Sequence, residues 1–216
     1  MRRLLIVCAL TLACRTSRVT FSTPVAPGDA APLPPHAFDF VARGERFHVD
    51  PQGRVTSPRG ALQLPLDGHL TDIDALQFIA APRDTLIVLY EVSDGESGAG
   101  RVARVSLEPP RVLWVASLPS FNVGPAALDG ASLYVSSLGF AGALNVVTGT
   151  YRWKHEHLYD RAHINGFARP RVLADRVIFD EDGAPHRLVV DKNSGRATFT
   201  TRASSAPPSS RGRSRR

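Results

Sequence analysis

The chain has 216 residues, 43% of them hydrophobic, which suits one domain with a sizeable core, or at most two small ones. Its formal charge of +6 invites a nucleic-acid reading, but Arg2, Arg3, Arg211, Arg213, Arg215 and Arg216 carry the whole excess. The stretch between these ends holds equal numbers of acidic and basic side chains, so no basic face for phosphate, and no nucleic-acid partner, is expected.

Residues 1–14 read MRRLLIVCALTLAC, a positive start followed by ten mainly apolar residues. Ten residues are too few for a helix to span a bilayer, which needs about 20, but they fit the apolar region of an export signal. Thr11-Leu12-Ala13-Cys14 resembles the lipobox of bacterial lipoproteins. That resemblance implies a covalent lipid at Cys14, palmitate among its acyl chains. Several chains matter, because one gives only marginal membrane binding. Thr11 stands where leucine is usual, which leaves ordinary signal cleavage and a freely soluble product as the alternative. The chain holds two cysteines, and Cys8 would leave with the leader. Cys14 would then be the only one, and no intramolecular disulfide could form.

Residues 15–37 contain Pro24, Pro27, Pro32, Pro34 and Pro35, the composition of a semi-rigid tether. Residues 203–216 are Ser, Pro, Arg and small residues, with nothing to bury, and are expected to form a disordered basic tail. The folded body is placed at 38–202. No segment there sustains a helical apolar period. Strands are predicted instead at 46–49, 85–92, 102–107, 112–117, 132–136, 143–147, 151–155, 176–179, 187–190 and 197–201, separated by turns such as Pro51-Gln52-Gly53 and Asn193-Ser194-Gly195. The expected class is all-β.

Three segments repeat. Each has a proline (Pro82, Pro125, Pro170), two apolar strands with glycine turns, and a closing aromatic (Trp114, Trp153, Phe199). A period of about 40–45 residues is that of a β-propeller blade, and 38–64 offers a partial fourth unit. The expected architecture is a small or partial propeller-like array of three to four antiparallel blades. Residues 142–153, with Thr148-Gly149 before Trp153, resemble the blade motif of quinoprotein-like (PQQ-like) propellers. Residues 188–199 match more loosely, and 101–114 keep only the tryptophan. The resemblance implies structural roles for Gly149, Trp153, Gly195, Phe199 and Trp114: glycine for a turn with positive φ, the aromatic for packing between blades. Propellers of that family close with six to eight blades, so three or four imply an irregular stack or completion by a partner.

Candidate chemistry is sparse. His155 and His157, two apart on a predicted strand, share a face and with His163 form the best metal candidate. Seven histidines make such a pair unsurprising, and an exposed polar strand end is the simpler reading. Gly95-Glu96-Ser97-Gly98-Ala99-Gly100 departs from a serine-nucleophile elbow at Ala99 and reads as a hairpin loop. Asp72, Asp74, Glu91 and Asp94 read as solvated loop charges. No catalytic residue and no cofactor beyond the lipid are expected.

The preferred function is a non-enzymatic lipoprotein of the cell envelope, periplasmic or on the outer membrane, bound to the membrane by its lipid. Its β module would contact a protein or cell-wall component. A quinone-bearing redox subunit and a secreted hydrolase are the alternatives.

Overall fold

The computed structural model describes residues 38–42, 44–50, 52–66, 72–83, 85–93 and 98–201. The leader with Cys14, the tether, the basic tail and Asp94 to Ser97 lie outside them.

Among the described residues sixteen strands form four antiparallel four-stranded sheets, each built from consecutive strands. The first blade holds β1 (Phe38–Ala42), β2 (Glu45–Val49), β3 (Arg54–Ser57) and β4 (Gly60–Gln63). The second holds β5 (Asp72–Ala81), β6 (Thr85–Ser93), β7 (Gly98–Leu107) and β8 (Pro110–Ser117). The third holds β9 (Ala127–Asp129), β10 (Ser132–Ser137), β11 (Phe140–Asn145) and β12 (Tyr151–His155). The fourth follows a short helix, α1 (Leu158–Ala162), and holds β13 (Arg171–Val172), β14 (Arg176–Asp180), β15 (His186–Asp191) and β16 (Ala197–Thr201). The protein is an all-β array of four propeller-like blades.

Three apolar cores join the blades in a row. The first lies between blades one and two and includes Phe47, Val49, Leu64, Leu86, Val88 and Tyr90. The second joins two to three through Ile87, Leu89, Val102, Leu133, Val135 and Phe140. The third joins three to four through Tyr134, Ala141, Ala143, Phe179, Leu188 and Val190. Side chains alternate across a strand, so β6 sends Leu86, Val88 and Tyr90 one way and Ile87 and Leu89 the other. An inner blade is covered on both faces, and β10 is accordingly buried at all six positions. The first blade alternates instead: β2 runs half-buried, exposed, buried, exposed, buried.

The ten predicted strands recur as β2, β6, β7, β8, β10, β11, β12, β14, β15 and β16, while β1, β3, β4, β5, β9, β13 and α1 were not foreseen. β5 stands where Asp72 and Asp74 were read as loop charges. Pro82 consequently sits in the turn between β5 and β6, whereas Pro125 and Pro170 precede β9 and β13. The prolines therefore do not mark equivalent points in the three repeats. Gly98 and Gly100, read as loop residues, are in β7. A Cβ on Gly100 would lie 2.7 Å from Val123 Cγ2 and 2.9 Å from the Ser120 carbonyl, so glycine there permits a close approach of chains.

Candidate functional site: the blade-docking turns and the open end

The turns β11–β12 and β15–β16 have the same construction. Asn145 Oδ1 accepts from the Val147 and Thr148 amides at 2.8 and 3.3 Å. Asp191 Oδ1 accepts from the Asn193 and Ser194 amides at 3.2 and 2.7 Å. Gly149 N–H donates to the Asn145 carbonyl at 2.8 Å, and Gly195 N–H to the Asp191 carbonyl at 2.9 Å. Both glycines have φ near +70°, 72° and 69°, which a side chain resists.

Each turn receives a tryptophan from the preceding blade. Trp114 Nε1 donates to the Val146 carbonyl at 2.9 Å, and Trp153 Nε1 to the Lys192 carbonyl at 3.4 Å. The rings lie against the glycines: a Cβ on Gly149 or on Gly195 would come within 2.6 Å of Trp114 Cδ2 or Trp153 Cβ. Arg104 adds to the first joint by donating to the Val146 carbonyl at 3.0 Å and to Thr85 Oγ1 at 3.1 Å. Burial, and then the charge of Arg83, pull its pKa down. The joint between blades one and two has no such tryptophan. Arg59 bridges Glu45 and Glu108, and Tyr90 Oη donates to the Pro65 carbonyl at 2.9 Å.

A bulge directs each tryptophan forward. In β8 the partners are Arg104 with Trp114 and Val105 with Val112, leaving Leu113 extra. In β12 they are Ala143 with Trp153 and Leu144 with Tyr151, leaving Arg152 extra. Extra residues of this kind re-aim the side chain that follows. β16 has none, so Phe199 pairs squarely with Leu188 and shares its face, towards the third blade. Phe199 is 45% exposed.

The three histidines are not assembled. β12 ends at His155, whose Nε2 lies 2.9 Å from the Gly195 carbonyl and whose ring packs on Trp153. His157 lies beyond the strand in left-handed backbone, with Nδ1 3.6 Å from Asp160, so the shared face expected for His155 and His157 does not exist. His163 meets Tyr159 edge to face. Among the described residues no three His, Cys, Asp or Glu side chains gather around one point. Glu91, read as a loop charge, is in β6 and accepts from the Val123 amide at 2.6 Å.

Sequence reasoning missed a charged cluster where β14 meets β15. Asp180 accepts from Arg171 at 3.1 Å and Arg187 at 2.6 Å, and Glu181 lies 2.6 Å from His186 Nδ1. Both acids are buried. Their partners are five to nine positions away with no motif, so only the strand register reveals them.

No family model matches the chain, and no curated protein matches it. Solved structures do resemble it. A europium-containing methanol dehydrogenase is 18% identical, with TM-score 0.44, over 61% of this chain and 27% of that one. Apo AztD from Citrobacter koseri is 14% identical, with TM-score 0.41, over 82% and 49%. The computationally designed Ika4 protein is 14% identical, with TM-score 0.38, over 76% and 88%. The chain thus spans about a quarter of the dehydrogenase and about half of AztD. Likenesses this distant add nothing to the fold read from its own strand order.

Proposed function

We propose that the chain is a non-enzymatic envelope lipoprotein, held to a membrane by lipid at Cys14, whose blade array binds another protein or a cell-wall component. The observation that carries the interaction role is the open end of the array. Three cores join four blades in a row, and among the described residues no fourth core joins the last blade to the first. The last strand, β16, is exposed at all five positions. An exposed sheet edge is a template for pairing with another chain. The lipid anchor rests on the leader and its Cys14, and the Pro-rich 15–37 supplies the reach between membrane and blades.

Native mass spectrometry of the protein, gently extracted from its own membranes, tests this reading. Added mass of one or more polypeptides or of a cell-wall fragment is expected. A lone monomer carrying a small non-lipid adduct would overturn it in favour of a cofactor-bearing subunit. Cys14→Ala is expected to move the protein from membrane to soluble fraction, and unchanged partition would remove the anchor.

A further inference from the structure

We propose, resting on that interaction role, that the partner at the open end is a second copy of this chain, paired antiparallel through β16 about a two-fold axis at Phe199. The outermost strands of the second and third blades are protected against such pairing. Each carries a bulge, and β12 also carries Arg152 and Lys154. Bulges and edge charges are the usual devices that blunt a sheet edge. β16 reads Ala-Thr-Phe-Thr-Thr, with no charge, no proline and an unbroken register of five pairs to β15.

Its main-chain groups point the right way. Asp191 N–H donates to the Arg196 carbonyl at 2.9 Å, which sets the alternation of bonded pairs along the ladder. Thr198 and Thr200 therefore bond to β15, while Ala197, Phe199 and Thr201 turn their N–H and C=O groups to the open edge. Centred on Phe199, two such edges match: Phe199 faces its own copy, and Ala197 faces Thr201 of the second copy in both directions. About six main-chain hydrogen bonds form. Thr198 comes opposite Thr200 of the second copy, a favourable cross-strand pair. A two-fold axis sets each strand against itself, so an uncharged strand meets no repulsion where β12 would oppose its own cations. Arg196 directly precedes the paired strand on each copy.

Five residues a side bury less than the roughly 800 Å² per partner of a stable interface. The association is therefore weak in solution, with Kd above about 10 μM. Confinement of both copies to one membrane raises the effective concentration towards the mM range.

Sedimentation velocity of the detergent-solubilised full chain over a concentration series reads this equilibrium. A reversible monomer–dimer curve is expected, tightened by salt that screens the flanking arginines. Phe199→Lys, which sets two ammonium groups together, should weaken dimerisation at least about tenfold with an unchanged thermal melt. Should that variant misfold, Ala197→Pro removes an outward N–H that β15 does not use and should weaken it likewise. Val147→Lys, on a turn residue 61% exposed and away from β16, should leave the dimer intact. A monomer at every concentration, or a dimer indifferent to both β16 variants, overturns the pairing. If native mass spectrometry then finds a foreign polypeptide, the interaction role stands without self-pairing. If it finds a bare monomer, both fall.

Discussion

Blades three and four share a turn and then part company within a few residues. Asn145 to Gly149 and Asp191 to Gly195 are the same hydrogen-bonded loop, each holding a glycine against the tryptophan of the blade before it. After the turn, β12 takes up an extra residue, Arg152, and Trp153 swings to meet the next blade. β16 takes up none, and Phe199 stays on the near side, half in water. One residue of register thus separates a strand that docks a neighbour from a strand that ends the described array.

The largest expected effects come from the feature the two blades share. Gly149→Ala and Gly195→Ala each force a side chain into positive φ and against an indole ring. Strain and overpacking together should cost about 3–4 kcal/mol. Chemical denaturation should show both variants destabilised alike. A loss under about 1 kcal/mol in either would mean that the ring does not sit on that turn.

Next come the aromatics on which the blades differ. Trp153 packs against Tyr134 and Phe179, with ring centroids at 6.0 and 6.3 Å, so Trp153→Ala should cost about 3 kcal/mol. Phe199→Ala should cost less than about 1 kcal/mol. Deleting Arg152 straightens β12 and turns Trp153 to the wrong face, and its loss should match that of Trp153→Ala. Equal losses at Trp153 and Phe199 would show that the bulge does not matter.

Sequence carried this design unevenly. The turn is legible because Thr148-Gly149 and Ser194-Gly195 are local chemistry at a fixed distance from an aromatic. The inner blades are legible as apolar runs because both faces of their sheets are covered. Phe199 aligns with the tryptophans in the sequence, yet nothing in the spelling Ala-Thr-Phe marks the missing bulge. Which residue a strand skips is decided by its partner: Leu188 meets Phe199 directly, while Ala143 meets Trp153 only because Arg152 is left over. β5 was hidden because Asp72, Asp74 and Gln77 interrupt the apolar residues of its first part. The pairing of Asp180 and Glu181 with Arg171, Arg187 and His186 is likewise a product of register rather than of motif.

The smallest expected effect separates the two turns by their first residue. Asn145 cannot titrate, whereas Asp191 is held ionised by the Ser194 amide and hydroxyl, each at 2.7 Å, which lower its pKa below the ordinary carboxylate value. Between the lowered and the ordinary value the unfolded chain binds a proton that the folded chain does not. Asp191 therefore stabilises the fold above its unfolded pKa, and that contribution is lost as pH falls through its folded one. Thermal melts from pH 6 down to about 2 should fall less steeply for Asp191→Asn than for the natural chain. Asn145→Asp should add a comparable acid dependence in the third blade. Identical slopes for the natural chain and Asp191→Asn would mean that the fourth turn does not depend on its carboxylate.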